Sequence, residues 1–139
     1  MHQEEIKKKI EAVRSYLDEL KPLLGWEATM IIQDKVKVRA IERLFQLVVD
    51  EAVDTNMLII SDSVIASPEN YRSTFYSLND LKILERSFVD RISESAKLRN
   101  QIVHEYEKIQ DLAMVELVKK FTLLYEEYLS ILIKTIFKA

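Results

Sequence analysis

One stretch of the chain concentrates residues able to do chemistry: Lys97-Leu98-Arg99-Asn100-Gln101-Ile102-Val103-His104-Glu105-Tyr106, which spells R-N-x-x-x-H-x-Y. It holds the only histidine beyond His2. Histidine, with an ordinary pKa of about 6.5, moves protons near neutral pH, and arginine neutralises charge growing on a phosphorus centre. The pair therefore suits phosphoryl transfer. RNA brings its own nucleophile, the 2′-hydroxyl, so cleaving it requires only a base, an acid and a charge stabiliser. The chain has no cysteine and no D-x-D or H-x-x-x-H spacing, so the chemistry expected is metal-independent and without a cofactor. Each chain offers one such histidine. Two-fold pairing would bring two His104 and two Arg99 into a shared groove, which predicts a homodimer.

The geometry sets a condition. On an ideal helix, residues five apart differ by about 140° in azimuth, so Arg99 and His104 converge only if the helix ends between them. Ile109-Gln110-Asp111 reads as a new helix start, which places a terminus near His104. The alternative reading is purely structural: Arg99 pairs with a carboxylate, His104 sits as a cation at a helix C-terminus, and Tyr106 is ordinary core.

The elements that must hold this stretch are helical. One glycine and two prolines in 139 residues cannot supply the turns of a sheet, while 48% hydrophobic and 31% charged residues are interleaved throughout. Ile6, Ile10, Val13, Leu17 and Leu20 recur at 4, 3, 4, 3 spacing and predict a helix over 4–20, closed at Lys21-Pro22. Gly25 and Trp26 follow in a connector, with the indole expected to plug the end of the bundle; a stacking role is the functional alternative.

Residues 33–61 contain no Gly or Pro and carry Val38, Ile41, Phe45, Val48, Ala52, Thr55 and Ile59 as one stripe, widened by Leu44, Leu47, Met57 and Leu58. This predicts the longest, central helix, about 40 Å at 1.5 Å per residue. Asp50, Glu51 and Asp54 read as its solvated edge, although Asp54 lies close enough to the stripe to partner a basic site residue. Ser61 to Ser73 is loop-like, with Pro68 and Asn70 as breakers. A short helix over 74–84 follows, then one over 85–103, and a last helix capped by Asp111 with Leu117, Phe121, Leu124, Tyr128 and Ile131 inward. The expected fold is all-α: an antiparallel bundle of four long helices plus one short helix, a single domain over 1–139.

A net charge of −3 argues against a general, sequence-blind grip on nucleic acid, so any such site must be local. The polar N-terminus does not read as a secretory signal, and no segment approaches the ~20 apolar residues of a membrane span. The expectation is a cytoplasmic protein that does not engage membranes.

The R-N-x-x-x-H-x-Y stretch resembles the R-x4-H-x-Y signature of the HEPN superfamily, specifically the HepT-like toxins paired with minimal nucleotidyltransferase antitoxins. The helix from Arg39 to Asp54 is similar to that family's second helix, and the likeness covers nearly the full chain in length and helix order. It implies a homodimeric, metal-independent endoribonuclease with RNA as substrate and the transferase as partner. By the same resemblance Arg99 and His104 are catalytic, Asn100 is the polar residue beside the arginine, and Tyr106 is the tyrosine that the antitoxin AMPylates. Adding AMP two residues from His104 would put bulk and negative charge where RNA phosphate must bind. Glu105 departs from the family's frequent glycine, and a carboxylate there opposes RNA. Two other readings follow from that and from the acidic balance: a non-catalytic nucleotide- or substrate-binding partner of such a transferase, and a helical dimerisation module without chemistry.

Overall fold

The computed structural model describes residues 2–104 and 109–137. Every element among them is helical: α1 (Gln3–Leu23), α2 (Ala28–Ile31), α3 (Lys35–Ser61), α4 (Tyr71–Asp80), α5 (Arg86–Ile92), α6 (Glu94–Val103) and α7 (Asp111–Ile136). α3 is the axis, packing on α1, α4, α6 and α7. α1 runs antiparallel to α3, since Lys9 meets Glu51 while His2 meets Asp62. It also runs antiparallel to α7, since Lys7 and Ile133 share a groove at one end and Lys119 reaches Trp26 at the other.

The apolar stripes do the packing. All five predicted α1 positions are buried, as are Val38 to Thr55 of the α3 stripe, with Ile60 rather than Ile59 completing it. Val49 and Val53 are buried as well, because α3 is covered on more than one side. A polar chain threads this core. The Tyr128 hydroxyl lies 2.6 Å from Asn56 Oδ1, Asn56 Nδ2 donates to Thr74 Oγ1 at 3.0 Å, and the Thr74 hydroxyl donates to the Tyr71 carbonyl at 2.7 Å. The buried Tyr128, Asn56 and Thr74 side chains thereby bond one another, and α7, α3 and the start of α4 are locked in register.

Several local expectations change. The fourth arm, expected as one helix over 85–103, is split into α5 and α6 at Ser93, whose Ala96 N–H → Ser93 carbonyl bond is a tightened i, i+3 turn. Asn70 is a cap rather than a breaker: its side chain accepts from Ser73 N at 2.8 Å while the Ser73 hydroxyl accepts from Asn70 N, so α4 starts at Tyr71. Asp111 is the first residue of α7 and pairs with Lys35 at 2.9 Å, with Gln110 in the cap position. Trp26 does not plug the bundle end. It is 50% exposed with Lys37 Nζ 3.7 Å from its ring centroid, and Ala28 and Ile31 of α2 are buried there instead. Among the described residues no helix is long and apolar enough to cross a membrane.

Candidate functional site

α6 carries the first half of the motif. Ser95, buried, shares a 2.6 Å hydrogen bond with the Tyr125 hydroxyl of α7 and donates to the Ile92 carbonyl, which fixes the helix one turn before Arg99. Leu98 is buried beside it. Four residues beyond Ser95 and on the same face, Arg99 extends its guanidinium toward α3 and α4.

There Arg99 is held on three sides. Its Nε donates to Asp50 Oδ1 at 3.0 Å, its Cζ stands 5.0 Å from the centroid of the Tyr71 ring, and its Nη1 approaches Asn100 Oδ1 at 3.4 Å. The ion pair is shielded, with side chains 18% and 28% exposed. Burial pushes the Tyr71 phenol above its ordinary range, and the adjacent Asp50 carboxylate adds to that, so Tyr71 stays a neutral shelf under the cation. The structural alternative is thus realised in part, since Arg99 does pair with a carboxylate. Nε is committed to that bond and one N–H of Nη1 to Asn100, so among the described residues three of the five N–H donors of the fork have no protein acceptor and can meet an oxyanion.

Asp54 is placed elsewhere. One turn beyond Asp50, it accepts from Lys9 Nζ at 3.2 Å, alongside Glu51 at 2.9 Å; these bonds, chiefly that to Glu51, hold the Lys9 ammonium above its ordinary range. The acidic run on α3 therefore divides between two neighbours, Asp50 toward α6 and Glu51 with Asp54 toward α1. Asp50 and Tyr71 are the members of the constellation that local pattern did not single out.

α6 ends at His104, as the new start at α7 suggested. His104 is the C-cap, its N–H donating to the Asn100 carbonyl at 2.9 Å while its backbone turns extended at φ −100° and ψ 116°. The helix persists through Val103, so the exit comes at His104 and not earlier between the two residues. Along that uninterrupted turn the backbone alone does not put Arg99 and His104 on one face. Glu105 and Tyr106 lie outside the described residues. Among the described residues, no three His, Asp or Glu side chains are grouped to hold a metal ion.

A family model described as Ribonuclease HepT-like matches residues 6–132. This chain belongs to the HepT-like ribonuclease family. Among relatives of this HepT-like chain, the tRNA nuclease HepT of Aphanizomenon flos-aquae is 31% identical over 106 residues, spanning 75% of this chain and 71% of the relative. The HepT-like fold also superposes on solved structures. The tri-AMPylated HEPN toxin of Shewanella oneidensis, in complex with an MNT antitoxin, gives a TM-score of 0.83 at 18% identity over 91% of this chain and 95% of that one. A toxin-antitoxin crystal structure with AMP-PNP gives 0.82 at 17% identity, over 91% and 96%. At those identities the likeness is one of fold, and it agrees with the all-α architecture.

Proposed function

We propose that this HepT-like chain is a metal-independent endoribonuclease toxin of a toxin-antitoxin pair, with Arg99 and His104 as its catalytic residues in the cleft of a homodimer. The observation that carries the reading is the state of Arg99, oriented by Asp50, Tyr71 and Asn100 yet with Nη2 unbonded among the described residues and able to meet a phosphate. Electrostatic stabilisation of a phosphorane needs such a pre-aimed cation. His104, at the point where α6 releases the chain, moves the proton of the 2′-hydroxyl or of the leaving 5′-oxygen; the His104 of a second copy takes the other role. Attack of the 2′-oxygen on phosphorus expels the 5′-oxygen and leaves a 2′,3′-cyclic phosphate. Asn100 supports Arg99, and Asp50 is its positioning residue.

Regulation follows from Tyr106. A nucleotidyltransferase antitoxin transferring AMP to its hydroxyl would place a phosphate beside His104, repelling and occluding RNA. The relative that acts on tRNA makes tRNA the first substrate class to test. The test is incubation of the purified chain with tRNA in EDTA, followed by analysis of the new 3′ ends. Cyclic phosphate ends support the proposal. An inert protein that nonetheless co-purifies with its transferase would favour the non-catalytic partner reading, to which Glu105 and the net charge of −3 point.

A further inference from the structure

Beside Arg99 lies a groove of about 440 Å³ between the first turn of α4 and the outer face of α6, lined by Asn70, Tyr71, Arg72, Glu94, Lys97 and Asn100, with Ala96 at its base. We infer that this groove is a subsite for the backbone phosphate of single-stranded RNA next to the scissile one, with Lys97 as its anchor. The inference rests on the ribonuclease reading above and adds the path of the strand.

Continuity is the first support. Tyr71 and Asn100, which line the groove, are also two of the three residues that hold the Arg99 guanidinium, the third being Asp50. A strand whose scissile phosphate meets Arg99 therefore has its next phosphate directed over Asn100 into the groove. Lys97 and Asn100 are three residues apart on α6 and stand on one side of it. Lys97 is exposed, and among the described residues no carboxylate is within ion-pair distance of it.

Charge is the second. Arg72 is paired to Glu94 at 3.2 Å, but both are about half exposed, and such a pair holds its partners weakly. With Arg72 and Lys97 against Glu94, the lining is net positive on a chain that is net negative. Comparable grooves differ: the one at the start of α7 sets Lys35 against Asp111, and the one between the ends of α1 and α7 sets Lys7 against Glu4 and Glu11. The positive end of the α4 dipole, at Asn70 to Arg72, adds to the attraction for an anion already drawn there by side chains. Local positive charge on an acidic protein is what a phosphate path limited to the site requires, because backbone contacts set register while the surface at large does not retain RNA.

The experiment uses the full chain carrying His104→Ala, so that binding is read without cleavage, and a 5′-labelled single-stranded RNA of mixed sequence in EDTA, followed by fluorescence anisotropy across salt concentrations. Adding Lys97→Glu should weaken binding about tenfold and lower the salt dependence by about 0.7 in log–log slope, the loss of one phosphate contact on a single strand. Lys7→Glu, the same charge change in the groove between α1 and α7, should leave both within about twofold. In the cleaving protein Lys97→Glu should raise KM and spare kcat. If the parent cleaves RNA and Lys97→Glu binds and cleaves like it, the subsite is wrong and the ribonuclease reading stands. If the parent does not cleave but its RNA binding depends on Lys97, the groove stands as an RNA-phosphate site while the ribonuclease reading, and with it the register next to a scissile phosphate, falls. No RNA binding by the parent overturns the subsite.

Discussion

Arg99 on α6 donates its Nε to Oδ1 of Asp50 on α3 at 3.0 Å, across 49 positions of sequence. This bond orients the guanidinium through Nε, and Nη2 has no hydrogen-bond acceptor among the described residues. Asp50→Asn keeps the shape but removes the charge that holds the fork. A displacement of the order of 1 Å at a catalytic group can cost roughly 10²-fold in rate. The variant should therefore lose about that factor in kcat with a smaller change in KM, and melt within a few degrees of the parent because the pair is only partly buried. Steady-state kinetics beside a thermal melt checks it; unchanged kcat would show that Asp50 has no part in aiming Arg99.

Tyr106 is proposed as a regulatory handle and not as part of the chemistry. Tyr106→Phe should cleave RNA like the parent and resist silencing by the cognate transferase with ATP, since the AMP acceptor is gone. Intact-mass measurement after the transferase reaction, paired with the cleavage assay, gives the answer. Loss of cleavage in Tyr106→Phe would instead make the hydroxyl catalytic.

Lys82 ends α4 in the left-handed region at φ 63°, where Ile83 N–H reaches the Leu78 carbonyl at 2.9 Å and Lys82 N–H reaches that of Asn79. This is a Schellman termination with a side chain at the position glycine prefers. Lys82→Gly should stabilise the fold by about 0.5–1 kcal/mol, the relief of αL strain exceeding the added freedom of the unfolded chain. Urea denaturation would register it as a higher midpoint at constant slope, and a lower midpoint would contradict it.

The core tyrosines set an alkaline limit. Tyr125 and Tyr128 are fully buried, and burial drives both phenols well above the ordinary value of 10.0. A folded-state pKa above the unfolded one gives stability that is present below about pH 10 and is lost as pH rises from there toward the folded value. The thermal midpoint should hold steady from pH 7 to about 9 and fall above about 10. Tyrosinate absorbance from this pair should appear together with loss of helix; its appearance in a still-folded chain would break the account.

What the chain revealed before folding was local. The 4, 3, 4, 3 spacing of α1 and the unbroken run of α3 follow from helical geometry, and the same positions are buried. The end of α6 at His104 was signalled by the new start that follows it. Asp50 was hidden because its partner is 49 residues away, and on its own helix it looks like any solvated carboxylate. Tyr71 was hidden in a stretch of loop composition, where the cap formed by Asn70 and Ser73 read as a break. The interruption at Ser93 carries no Gly or Pro to announce it, and the exposed Trp26 ring is met by Lys37 of α3, while Lys119 of α7 donates to the Trp26 backbone carbonyl.

If Arg99 and His104 cleave RNA without metal, the rate of tRNA cleavage in EDTA by the parent and by His104→Ala reports it most directly. General acid-base catalysis by a positioned histidine is worth roughly 10²–10⁴-fold. The parent should produce 2′,3′-cyclic phosphate ends, and His104→Ala should be slower by at least about a hundredfold with an unchanged helical spectrum. Equal rates in the two proteins, or no cleavage by the parent, would contradict the account.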